Sequence, residues 1–126
     1  MKNIWLKLPA ILYAVLIFGL SSLPKTPLSL VPIWNIDKLA HLTEYTIFGV
    51  LLMLAFAGGR PGAVLRRTNY GSFFSGAIYG LSDEIHQYFV PGRICSAVDL
   101  SADLIGILLG IWIFNHWHIF RKFRAS

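Results

Sequence analysis

Followed only as apolar and polar positions, the chain falls into four apolar runs, at roughly residues 8–23, 39–57, 73–90 and 98–117, joined by short polar connections. Each run is close to the ~20 residues that an α-helix needs to cross ~30 Å of hydrocarbon. The pattern predicts an all-α, polytopic membrane chain with four transmembrane helices in a single domain over residues 1–126. Almost nothing lies outside the runs, which leaves no room for a separate soluble domain, and no repeat or low-complexity tract is evident. The first run also fits a secretory signal, since Lys2 and Lys7 precede it and GLSSLP supplies small residues near its end. Removing it would not reorient the other three spans.

Composition agrees with the pattern: 56% of the residues are apolar and 13% are charged, too few for the surface of a soluble domain of this size. The formal net charge of +5 does not point to nucleic acid, because the cations sit at the ends of apolar spans, where lipid headgroups lie. Their distribution instead sets an orientation. Lys2, Lys7, Arg60, Arg66, Arg67, Arg121, Lys122 and Arg124 fall on one side, and Lys25, Lys38 and Arg93 on the other. The positive-inside rule then predicts an N-in/C-in topology. FRKFR, with WHIF before it, reads as an interfacial anchor. The single Cys95 forms no internal disulfide and leaves the redox compartment open.

All six acids, Asp37, Glu44, Asp83, Glu84, Asp99 and Asp103, fall in the outward halves or at the outer ends of the second, third and fourth spans. At about 1.5 Å per residue, Glu44, Glu84 and Asp103 reach roughly 7 to 11 Å below the outer boundary. Helical phase puts Asp37, His41, Glu44 and Tyr45 on one arc, Gly80, Glu84, Gln87 and Tyr88 on another, and Asp99, Asp103, Gly106 and Gly110 on a third. Gly76-x-x-x-Gly80 and Ala102-x-x-x-Gly106-x-x-x-Gly110 allow close helix approach on the same faces. An ionisable group at mid-bilayer costs roughly 2.5 to 3.5 kcal/mol on insertion scales, so such groups face a bundle interior or a water-filled cavity. Together these features predict an outward-facing polar pocket built by the second, third and fourth spans. His86, nearly opposite Glu84 in phase, is expected at the membrane interface.

The same residues admit several chemistries. His41 and Glu44 with Glu84 could present metal ligands, but there is no HExxH and no usable thiol, so neither a metal nor another cofactor is expected. Glu84 and His41 form a candidate acid/base pair. A hydrogen-bonded network tying the spans together, with Lys38 or Arg93 neutralising Asp37 or Asp99, explains the same residues without chemistry. Arg93 follows the turn formers Pro91 and Gly92; its planar fork suits a phosphate or carboxylate, and snorkelling to lipid phosphate is the plainer use. Pro24, Pro27 and Pro32 with Trp34 suggest an irregular segment over the pocket, or a plain interfacial linker.

The block Asp37-Lys38-Leu-Ala-His41-Leu-Thr-Glu44-Tyr45 resembles the first signature of VanZ-like membrane proteins. Asp83-Glu84-Ile-His-Gln87-Tyr-Phe-Val-Pro91-Gly92-Arg93, followed by Asp99-Leu-Ser-Ala-Asp103-Leu-Ile-Gly106, resembles the second. The spacing between blocks is kept over nearly the whole chain; Asp103 departs from the Asn that many members carry. The resemblance implies a small bacterial protein of the cytoplasmic (inner) membrane, with a single VanZ-like transmembrane domain. Carried over, its functional candidates are Asp37, Lys38, His41, Tyr45, Glu84, Gln87, Arg93 and Asp99, to which the phase argument adds Asp103.

Two functions follow as expectations. In the first, the pocket binds an anionic lipid-linked or cell-envelope ligand without turnover, and resemblance links it to teicoplanin-type glycopeptide tolerance. In the second, the protein is a membrane enzyme in which Glu84 and His41 act as acid and base on a lipid headgroup or envelope precursor. A transporter ranks third, because the inner halves hold no acid to continue a path. The expected partner is a membrane lipid or lipid-linked envelope precursor, with no nucleic acid; the oligomeric state is not legible.

Overall fold

The structure is a computed structural model that describes residues 4–24, 34–58 and 65–124, with backbone only at 34, 35, 65, 118–120, 122 and 123. Four helices account for nearly all of it: α1 (Ile4–Ser21), α2 (Trp34–Ala57), α3 (Leu65–Tyr88) and α4 (Ala97–Arg124). No strand occurs among the described residues. The Pro27 and Pro32 segment, expected over the pocket, lies outside the described residues.

The helices are longer than the apolar runs that announce them. Apolarity marks what hydrocarbon covers, whereas helix ends are set by capping. At the end of α2, Gly58 takes a left-handed φ of 59°, and Gly92, in the turn after α3, a φ of 77°; a side chain would strain both. Before α4, the Ser96 hydroxyl accepts from the Asp99 amide at 3.4 Å, an N-cap contact that fixes where the helix starts.

Antiparallel packing gathers the C-terminal ends of α1 and α3 and the N-terminal ends of α2 and α4 at one end of the bundle, here the acidic end. Arg66, Arg67, Arg121 and Arg124 belong to the opposite, basic end. The closest pair is α2 with α4, and glycine makes it close: a Cβ at Gly106 would stand 2.7 Å from the Leu42 carbonyl oxygen, and one at Gly49 2.8 Å from that of Ile107. Real Cβ atoms do not come that near, so these crossings require the backbone contact that small residues permit.

The apolar interior is Ala10, Ile17, Tyr45, Phe48, Leu52, Met53, Ile107 and Ile111. Far more large apolar side chains point outward, among them Leu12, Val15, Leu16, Phe74, Ile78, Ile85, Ile105, Leu108 and Trp112. A water-soluble bundle would reverse this arrangement; lipid makes such a surface stable. Residues Ile4–Ser21, Ile36–Ala57 and Ala97–Trp117 are each long and apolar enough to cross a membrane. The protein is therefore a helical membrane protein, with three such spans among the described residues. The third helix carries two arginines, two acids, His86 and Gln87, and does not reach the same apolarity.

Candidate functional site

The acidic end contains three polar groups, and each depends on a different pairing of helices. The first joins α2, α3 and α4. Two turns into α2, His41 Nδ1 lies 2.9 Å from Asp103 Oδ1 of α4. Glu84 of α3 completes the group: one ligating atom from each of His41, Glu84 and Asp103 lies within 4.8 Å of the others. Burial is extreme, with Glu84 1% and Asp103 0% exposed. The Ser96 amide donates to Glu84 Oε2 at 3.0 Å, so the turn entering α4 orients a carboxylate that belongs to α3. Glu84 Oε1 and Asp103 Oδ2 are buried without a hydrogen-bond partner among the described residues. Such orphaned acceptors are rare, because each forfeits its hydration without replacement.

The second group lies nearer the helix ends. Lys38 forms an ion pair with Asp99, joining the start of α2 to the start of α4. Asp37, His41 and Asp99 again bring ligating atoms within 4.8 Å. His41 is common to both sets. It therefore bridges the half-buried Asp37 to the fully buried Asp103 and Glu84.

The third group centres on Asp83. Its Oδ2 accepts from Tyr45 Oη at 3.1 Å and from Gln87 Nε2 at 3.3 Å, and its Oδ1 accepts from the Ser21 hydroxyl of α1. Tyr45 is fully buried, and among the described residues this carboxylate is the partner that satisfies its hydroxyl.

Most of the sequence candidates meet here, in two adjoining sets. Asp37, Lys38, His41, Glu84, Asp99 and Asp103 form the α2/α3/α4 groups; Tyr45 and Gln87 attach to Asp83. Asp83 itself was not singled out, although its i, i+4 spacing to Gln87 is a legible signal. Ser21 and Ser96 carried no signal, since a lone serine at a span end is ordinary. Glu44, predicted at the level of Glu84 and Asp103, is half-buried and outside both sets of converging donors.

The sequence assigned the polar groups to three helices, and α1 contributes as well; two residues meet partners there that the sequence does not name. Arg93 directs Nε to the Leu23 carbonyl at 3.1 Å and Nη2 to the Leu20 carbonyl at 2.9 Å, so its fork grips backbone carbonyls at and just past the end of α1, where helical partners run out. His86, expected at the interface, is half-buried near the end of α3, where it stacks on Phe18 with ring centroids 4.5 Å apart and meets the Ser22 hydroxyl at 2.9 Å. Phase put it opposite Glu84 correctly; what stands on that side is α1.

Shape and chemistry do not coincide. A shallow groove of about 620 Å³ lies towards the basic end, lined among others by Phe56, Arg66, Arg67, Tyr70 and Phe74. Its walls are mostly apolar and no acid lines it, so the functional reading rests on the buried polar groups.

A family model described as VanZ/LLP1 matches residues 3–121. The chain belongs to the VanZ/LLP1 family. No curated protein and no solved structure matches it. The VanZ/LLP1 match takes in all four helices up to Arg121, and with them the acidic-end groups.

Proposed function

We propose that this VanZ/LLP1 protein works at the outer leaflet of the bacterial cytoplasmic membrane, on an amphiphile such as a lipid-linked envelope precursor. The basic end would face the cytoplasm, as the distribution of Lys and Arg favours. The acidic end would then lie at the outer side. A fourth crossing by α3 is supported by its outward face: Tyr70, Phe74, Ile78, Leu81, Ile85 and Tyr88 are all exposed at helical spacing, while Thr68, Ser72, Asp83, Glu84 and Gln87 are buried. That face is the one lipid would cover.

The observation that carries the reading is the position of His41 between two carboxylate sets. A proton acceptor or donor at Asp37, within reach of a headgroup, connects through one imidazole to Asp103 and Glu84, which are sealed from solvent. Intramembrane ionisable groups of this kind mark functional sites by default, because burial costs several kcal/mol that mere packing would avoid. In this reading His41 exchanges a proton with the reacting headgroup, Asp103 holds the imidazole in position, and Glu84 is the buried counter-base.

Binding without turnover is the second reading, and the Lys38–Asp99 pair favours it. An anionic headgroup could displace Asp99 and take up Lys38 at the site entrance. Glycopeptide tolerance of the teicoplanin kind is the cellular outcome that family resemblance attaches to either reading. The deciding experiment is an unbiased lipid and envelope-precursor analysis of cells with and without the protein. A headgroup species that accumulates in the absence of the protein, and is consumed by the purified protein, supports turnover. Retention of an unchanged species by the purified protein supports binding. Identical profiles together with no retained species would refute both.

A further inference from the structure

The geometry points to His41, Glu84 and Asp103 as a site for one divalent transition-metal cation, of the zinc or manganese kind. The inference concerns the cluster of the preceding proposal but needs neither a headgroup nor turnover.

Three observations carry it. Donor atoms from three separate helices converge within 4.8 Å, the arrangement that lets one ion replace several interhelical contacts. Two of the carboxylate oxygens, Glu84 Oε1 and Asp103 Oδ2, are buried and unpartnered, on side chains only 1% and 0% exposed. Finally, the 2.9 Å between His41 Nδ1 and Asp103 Oδ1 suits a hydrogen bond and also suits neighbouring ligands on one ion, since donors bound at ~2.1 Å stand roughly 3 Å apart.

Charge and donor type narrow the ion. Two carboxylates in a low-dielectric interior leave up to two negative charges opposite one imidazole, and a divalent ion neutralises them together. One nitrogen and two oxygens suit zinc or manganese, whereas magnesium and calcium prefer an all-oxygen shell. The Ser96 amide on Glu84 Oε2 is the kind of outer contact that orients a ligating carboxylate while leaving its other oxygen available. The sequence argued against a metal because it holds no HExxH and no usable thiol, and its candidate ligands were His41 and Glu44 with Glu84. In the structure Asp103 takes the place assigned to Glu44.

The test uses the full chain in detergent with Cys95→Ser, which removes the exposed thiol as a competing ligand. After chelator treatment and dialysis against zinc or manganese, bound metal is measured by elemental analysis, and thermal unfolding is followed with and without the ion. We expect one ion per chain and a rise in unfolding temperature. Glu84→Gln and Asp103→Asn, which keep shape, should each weaken binding by at least about tenfold, while Glu44→Gln should leave it unchanged. Cobalt loading gives an independent readout: ligand-field bands without thiolate charge transfer. Folded protein that binds no stoichiometric zinc or manganese would overturn the inference. So would equal loss in Glu44→Gln, or stabilisation by Glu84→Gln with no metal effect in the parent, which would indicate a proton shared between the two acids. All these readings are made on resting protein, so failure to consume an amphiphile would count only against the preceding proposal.

Discussion

His41 Nδ1 stands 2.9 Å from Asp103 Oδ1, across the tightest helix crossing in the molecule. Two glycines, Gly49 and Gly106, bring α2 and α4 together there, so backbone packing fixes the distance between the two side chains. Polar chemistry and small-residue packing are one feature at this crossing.

Gly106→Ala should therefore disturb both. Its Cβ would meet the Leu42 carbonyl oxygen at 2.7 Å, and backbone cannot yield as a flexible side chain does, so a loss of roughly 1–3 kcal/mol is expected. Gly19→Ala is the matched control, because nothing lies within 4 Å of the added carbon. Unfolding in detergent should separate the two variants clearly. Equal behaviour would mean that the α2/α4 crossing is looser than described.

Asp83 gives a second expectation. Tyr45→Phe removes one donor to its carboxylate and leaves Ser21 and Gln87 in place, so a cost of about 0.6–1.7 kcal/mol is expected, as for other interhelical hydrogen bonds in membranes. Asp83→Asn should cost more, since Ser21, Tyr45 and Gln87 all donate to that side chain. Thermal unfolding of the single variants checks the order. The reverse order would remove Asp83 as the hub.

The sequence made much of this legible, for identifiable reasons. Apolar runs marked the spans because hydrocarbon tolerates few polar residues, and phase brought His41, Glu84 and Asp103 together because the helices are regular. It could not show which partner stands opposite a face. Arg93 was legible as a two-pronged donor, yet its acceptors are carbonyls at the end of α1, some seventy positions earlier in the chain. His86 likewise meets a neighbour, Phe18 of α1, that its own stretch of sequence does not name. Contacts made by backbone atoms, such as Ser96 to Glu84, leave no residue-type signature at all.

Arg93→Lys follows from those two carbonyl contacts. A single ammonium can reach one of the two α1 carbonyls but not both with the guanidinium geometry, so about 1 kcal/mol should be lost. The effect should appear as earlier unfolding even if the site itself stays intact. No change in stability would indicate that Arg93 serves a ligand and not the end of α1.

Orientation is checked with the native thiol. Cys95 is exposed in the turn between α3 and α4, so it should react with an impermeant maleimide on intact cells. Cysteine at position 67 or 121, introduced with Cys95→Ser, should react only after permeabilisation. The opposite pattern would invert the protein in the membrane and remove the outer-leaflet site.

The central claim is that the His41–Asp103–Glu84 cluster is a working site and not structural glue. Glu84→Gln tests it most directly, because it keeps shape and the Ser96 contact while removing a charge that is costly to bury. The measurement is the envelope-precursor and lipid profile of cells lacking the protein, complemented with wild type or with Glu84→Gln at matched membrane abundance. The account expects the variant to be inserted and, compared free of metal, as stable as wild type or more so, yet to leave the profile of the deletion unrestored. Full restoration by Glu84→Gln at equal abundance would contradict it and leave the buried acids as interhelical packing.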